Sequence, residues 1–239
     1  MRRWPTRVVG WTAALLAIAL FCGLGAWQLD RGRQKQAMLD AAAHTLSARR
    51  ALPLDAAADA ASSGTHAWAE GAGRFADLPA VLLDNQQRNG RPGLRAYRVF
   101  LPEQGRAPLL VELGWLPVPP DRTIPAIAPA PAWTRLRGLL SPPPSAGLVA
   151  PAVQPQADGS LLVLALDPEA LARALGLQAL APRVLRADPE LPGGYARDLQ
   201  VLANTLPPER HLGYAVQWFG LAATVLVTAL ILTFRRSRR

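Results

Sequence analysis

The sequence predicts a membrane protein in which two transmembrane α-helices flank a small antiparallel β domain (β-rich α+β) on the extracytoplasmic side. Three observations predict it. Two apolar stretches, Val8 to Leu29 and Leu212 to Phe234, contain no Asp, Glu, Lys or Arg. The 182 residues between them are broken into short apolar runs bounded by Gly and Pro. The net charge of +9 is concentrated outside the two stretches, at the chain ends.

At 1.5 Å per helical residue the two stretches reach about 33 and 35 Å, enough for a hydrocarbon core of roughly 30 Å. Arg2, Arg3 and Arg7 precede the first, and Arg235, Arg236, Arg238 and Arg239 follow the second. What remains in the middle is 19 basic against 17 acidic side chains, so the domain is nearly neutral and a nucleic-acid partner is not indicated. Cationic flanks stay on the cytoplasmic face. The expected order is therefore a cytoplasmic N-terminus over residues 1–7, a first span over 8–29 and a periplasmic domain over 30–211. A second span over 212–234 and a cytoplasmic C-terminus over 235–239 follow, all in a bacterial plasma (inner) membrane. A cleaved signal peptide is the alternative for the first stretch, but its apolar run is longer than the usual 7–15 residues. Cys22 is the only cysteine, and Phe21 before it is too bulky for a lipoprotein cleavage site. The domain thus has neither a disulfide nor thiol chemistry.

Along the domain, Asp30 to Arg50 is helix-friendly, with Met38, Leu39, Ala42 and Leu46 on one side and Pro53 to stop it. Ala56 to Thr65 reads as a loop. Strands are expected over His66–Phe75, Ala80–Asn85, Leu94–Leu101, Pro108–Trp115, Trp133–Leu140, Ser160–Leu166, Ala181–Arg186 and Asp198–Leu202, from their lengths and β-branched or aromatic content. Asn89–Gly90 sits in a turn cluster suited to a hairpin, and Leu116–Pro131 is a Pro-rich irregular connection. Asp167–Pro168–Glu169 opens a short helix that Gly176 closes. A closed or half-closed barrel would accommodate these strands.

No zinc motif, phosphate loop or nucleophile elbow occurs, and three His cannot build a multi-His metal site. The polar groups that stand out lie at the outer ends of the spans. Trp27, Gln28, Arg31, Arg33 and Lys35 end the first, and His211, Tyr214, Gln217 and Trp218 begin the second. Residues 211, 214 and 218 share a helical face by their spacing of three and four. Gln217 lies about 9 Å into its span and needs a partner such as Gln28. Trp27 and Trp218 suit an interfacial aromatic belt, and Arg31 and Arg33 a lipid-facing flank. His211 suits either packing or an iron ligand, with Arg31 able to meet an anionic carboxylate such as a porphyrin propionate.

A family resemblance appears at these residues. Gly25–Ala26–Trp27–Gln28–Leu29–Asp30–Arg31 with Lys35 resembles the opening motif of the Surfeit-locus-one family, and His211 to Phe219 resembles its second-helix motif. Asp84–Asn85–Gln86, Gly90 to Gly93, Val111 to Pro117 and Trp133 to Ser141 follow the family's central motifs in order, although Glu112–Leu113 stand where Asn–Arg is usual and Arg210 where Asn is usual. The resemblance implies a non-enzymatic, membrane-anchored assembly factor for haem–copper cytochrome c oxidase. It implies haem A as the cofactor held or delivered and His211 as iron ligand. In a cleft between the outer helix ends, Tyr214 and Trp218 would then form a flat apolar wall and Gln28 or Arg31 a polar tether. The catalytic subunit is the implied partner and haem A synthase a further candidate. A scaffold that recruits oxidase subunits without haem is the alternative.

Overall fold

The computed structural model describes residues 4–144, 152–201 and 206–237, with side chains described from Arg7 to Arg235 within these ranges. Arg2, Arg3, Arg236, Arg238, Arg239 and Leu202 fall outside those limits. Two units are present, one made of residues 1–40 and 205–239, the other of residues 41–204.

The first unit is a pair of helices. Helix α1 runs Trp4–Ala48 and helix α3 runs Pro208–Ser237. Both are long and apolar enough to cross a membrane. They are antiparallel: Trp11 Nε1 donates to Thr233 Oγ1 at 3.2 Å, Phe21 stacks on Trp218, and Gln28 meets His211. The less exposed positions of α1 recur at Trp11, Ala14, Ile18, Phe21, Gly25, Gln28, Gly32 and Lys35, alternating three and four residues. On α3 they recur at His211, Ala215, Trp218, Ala222, Val225, Ala229 and Thr233. Alternating spacings of this kind are the seam of a left-handed helix pair. Small residues let the backbones approach: a Cβ on Gly25 would stand 2.8 Å from the Phe219 ring.

The second unit is built on nine strands among the described residues, in the order β1-β2-β6-β9-β5-β4-β3-β8-β7. They are β1 Leu52–Pro53, β2 Ala67–Phe75, β3 Val81–Arg88, β4 Arg91–Pro102, β5 Leu109–Pro117, β6 Arg135–Ser141, β7 Val153–Pro155, β8 Leu161–Val163 and β9 Val184–Ala187. An additional pairing of β2 with the end of β4, from Gly73↔Pro102 to Phe75↔Phe100, closes β2, β6, β9, β5 and β4 into a ring. All five ring strands contribute to one core, which includes Ala69, Phe100, Leu109, Val111, Leu113, Leu136, Leu140 and Leu185. A second core lies on the opposite face of β5, where helix α2 (Pro168–Ala174) packs Leu171 and Ala172 against Val81, Val99, Leu110 and Val184.

The sheet is mixed, which corrects the antiparallel expectation. β1–β2, β3–β8 and β5–β9 are parallel pairs. β9 follows helix α2 and enters the sheet between β6 and β5, and such a crossover sets strand direction without leaving a local mark in the sequence. Asp198 onward forms no strand within the described residues; the nearest pairing is an isolated bridge between Trp115 and Ala196. Ala56–Thr65, expected as loop, contains two 3-10 turns, Leu54–Ala58 and Ala60–Ser62.

Local chemistry explains the elements that were anticipated. Asn89 (φ 51°) and Gly90 (φ 73°) turn β3 into β4, both in the left-handed region a two-residue hairpin needs. The Asp167 carboxylate accepts from the Glu169 and Ala170 N–H groups and caps α2. Gly114 has φ +124°, beside a bulge in the β4–β5 ladder where Ala96 pairs Gly114 and Tyr97 pairs Glu112. A Cβ there would lie 2.7 Å from the Tyr195 carbonyl carbon. Gly114→Ala is expected to lose about 2 kcal/mol or more of domain stability, read as a lowered urea midpoint. An unchanged midpoint would mean that the Tyr195–Ala196 segment yields freely.

Candidate functional site

Among the sequence-predicted polar residues, the helix pair brings Gln28 and His211 into direct contact. His211 is buried, 7 % exposed, in the first turn of α3. Its Nδ1–H donates to Gln28 Oε1 at 2.7 Å. In the neutral ring this arrangement leaves the lone pair on Nε2. Nε2 is buried and has no hydrogen-bond partner among the described residues. On the α1 side Gly32 leaves room for the ring: its missing Cβ would stand 3.4 Å from His211 Cβ. One turn further along α1, the Lys35 ammonium donates to the Leu206 carbonyl at 2.6 Å, tying α1 to the chain just before α3.

The remaining candidates are dispersed around this contact. Arg31 is exposed and donates to Gln34 Oε1 at 3.1 Å on its own helix. Trp218 lies in the seam, its ring stacked on Phe21 with centroids 5.7 Å apart. Tyr214 is 40 % exposed, one step off the buried stripe that continues through Ala215. Gln217 is exposed and Gln28 is engaged by His211 instead. Trp27 is 56 % exposed, as a lipid-facing belt residue would be. Among the described residues no three His, Cys, Asp or Glu side chains gather as a metal site. His211 is the imidazole of this set.

The β unit holds a buried ionic cluster that was not anticipated. Glu112 on β5 is 3 % exposed and accepts from Arg95 on β4, from Arg186 Nε on β9 at 3.2 Å, and from the Tyr97 hydroxyl at 3.5 Å. Arg186 also donates to the carbonyls of Gln200 and Asp198 at 2.8 and 2.9 Å, and Arg88 pairs with the Asp198 carboxylate at 3.4 Å. Burial, reinforced by the Glu112 charge, pushes the Tyr97 phenol well above its ordinary value, so it remains a donor. Burial disfavours the Arg95 charge, but the Glu112 carboxylate beside it outweighs that and raises the guanidinium pKa above its ordinary value. The central motif residues are structural here: Asp84 pairs with Arg122 at 2.6 Å, Asn85 (φ 58°) sits at the bulge in β3, and Trp115 Nε1 donates to the Gln86 carbonyl at 3.1 Å.

His66 lies beside this cluster. Burial holds its imidazole below the ordinary 6.5, and Arg186 and Arg183 push the same way. The unfolded chain then binds the proton more readily than the folded one. The His66 contribution to stability is complete above pH 6.5 and is lost as pH falls through that value toward the depressed folded one. Melts of the full chain should show a midpoint that drops from pH 7.5 to pH 5.5, and His66→Gln should flatten that interval. An equal drop in the variant would assign the slope to other groups.

The family model described as SURF1 family matches residues 15–223, spanning both helices and the β unit between them. No curated protein matches the chain. The match covers most of the chain and includes Gln28, Glu112 and His211. The chain therefore belongs to the SURF1 family, which is associated with cytochrome c oxidase assembly.

Proposed function

We propose that this chain is a non-catalytic, membrane-anchored assembly factor that holds haem A for the catalytic subunit of cytochrome c oxidase, with His211 as the iron ligand. The observation that carries the reading is the His211 imidazole: its Nδ1 is occupied by Gln28 and its Nε2 is a buried lone pair without a partner among the described residues. A neutral imidazole so oriented fits an axial haem ligand. Bound haem A would supply an iron able to accept the His211 lone pair. Gln28 fixes the tautomer, and Tyr214, exposed beside the seam, offers a flat apolar surface. Arg31, exposed and bonded among the described residues to Gln34 on its own helix, could exchange that partner for a carboxylate. Trp218 serves by bracing the seam through Phe21. Because Nε2 is enclosed, loading requires the helices to part locally, and their closure favours release, as a carrier needs.

The arginine-rich ends support a topology with both termini in the cytoplasm of a bacterial inner membrane and the β unit in the periplasm. Haem A synthase is the candidate supplier and the oxidase catalytic subunit the recipient. The enclosure of Nε2 favours a second reading, a scaffold that recruits oxidase subunits and carries no haem. Purification from cells that make haem A separates the two: the carrier shows a Soret band that His211→Ala removes, and the scaffold shows none.

A further inference from the structure

At the end of the helix pair remote from His211, α1 and α3 leave a cavity of about 330 Å³ lined by Gly10, Trp11 and Ala14 on one side and Thr224, Thr228 and Thr233 on the other, with Arg7 at its end. Its polar groups are already satisfied. Thr224, Thr228 and Thr233 donate to the carbonyls of Gly220, Thr224 and Ala229 on their own helix, and Trp11 donates to Thr233 Oγ1. An occupant of the groove therefore needs no polar groups there. An alkyl chain, which brings no polar group to desolvate, suits such a groove. The exposed Arg7 supplies a cation where the groove ends. A second groove of about 310 Å³, lined by Val227, Leu230, Ile231 and Phe234, also ends at an arginine, Arg235.

We propose that this end of the helix pair binds an anionic glycerophospholipid, with one acyl chain in the α1–α3 groove and the headgroup phosphate on Arg7. The inference rests on the reading that both helices cross a bilayer.

Carbonate extraction of membranes tests that underlying reading first: release of the full chain into the soluble fraction would end both the reading and the lipid site. With the chain membrane-embedded, native mass spectrometry of detergent-purified protein tests the site, using added phosphatidylglycerol or phosphatidylcholine. Wild type should retain a phosphatidylglycerol adduct in preference to phosphatidylcholine. Arg7→Gln should lower the phosphatidylglycerol adduct about fivefold while leaving the phosphatidylcholine level unchanged. Gly10→Leu fills the groove, since a Cβ at Gly10 meets nothing within 4 Å, and should lower both adducts. Equal retention of the two lipids, or an Arg7→Gln adduct like wild type, would overturn the proposal. So would a dimer that Gly10→Leu abolishes, which would assign the groove to a second copy of the chain.

Discussion

Glu112→Ala is expected to remove a large fraction of the stability of the β unit. The carboxylate is 3 % exposed and receives donors from three directions, Arg95, Arg186 and Tyr97. Removing it leaves two buried guanidiniums facing each other, and uncovering one partner of a buried pair costs about 3–5 kcal/mol. Against a total domain stability of about 5–15 kcal/mol, that is a large fraction. Arg186 would retain the Gln200 and Asp198 carbonyls, but Arg95 loses its only ion pair among the described residues. Glu112→Gln should be intermediate, because an amide keeps one acceptor and removes the charge. The double change Arg95→Met with Glu112→Leu should recover much of the loss, since apolar residues of similar volume can replace a buried pair. Denaturant melts of wild type and these three variants read the series. If Glu112→Ala cost less than about 1 kcal/mol, the pair would behave as a solvated surface bridge and the cluster would have no structural weight.

The position of Glu112 also shows which parts of the fold a sequence conceals. The hairpin at Asn89–Gly90 and the capped helix after Asp167 were legible because their signals lie within a few residues: left-handed turn positions, a side-chain cap, a proline in the first turn. The Glu112 cluster draws on β4, β5 and β9, which are adjacent in the sheet, but its arginines are 17 and 74 residues away in the chain. A charge in a strand reads as a solvated face until the neighbouring strands are known. The parallel pairs were concealed for the same reason. Strand β9 reads as one more short apolar run, and its direction is set by the helix that precedes it.

The helix pair was legible as two apolar spans, but its seam was not. In a soluble helix a core stripe stands out against polar neighbours, whereas here residues facing lipid are as apolar as those facing the partner helix. From Trp11 to Gly25 the seam is as apolar as its surroundings and mixes Ala14 and Gly25 with Trp11, Ile18 and Phe21, so neither polarity nor size marks it in the sequence. That is why Tyr214 was grouped with His211 and Trp218 although the buried stripe passes through Ala215, and why Gln217 looked like the partner for Gln28. The motif Gly–x–Trp–Gln gains a physical meaning from the packing: Gly25 admits the Phe219 ring, Gln28 holds His211, and Trp27 between them faces outward.

His211→Ala is expected to abolish haem retention, and Gln28 variants should grade it. Wild-type protein from cells making haem A should carry a Soret band that His211→Ala loses at unchanged expression. Gln28→Leu removes the acceptor for Nδ1–H, freeing the tautomer and burying an unpaired donor. Loss of such an orienting partner typically costs 10–100-fold in affinity at a metal-binding imidazole, so the retained chromophore should fall by roughly that factor. Gln28→Glu keeps the acceptor and makes it stronger. It should hold haem at least as well as wild type, with a slower loss to apomyoglobin, because a carboxylate on Nδ1–H raises the donor strength of Nε2. The series separates ligation from packing. A defect that only loosened the seam would appear equally in Gln28→Leu and Gln28→Glu and would accompany a fall in thermal stability. Full haem load in His211→Ala would remove the imidazole from the site, and a wild-type protein without any Soret band would leave the scaffold reading in its place. Full load in Gln28→Leu alongside an empty His211→Ala would keep the ligand and reject the tautomer lock.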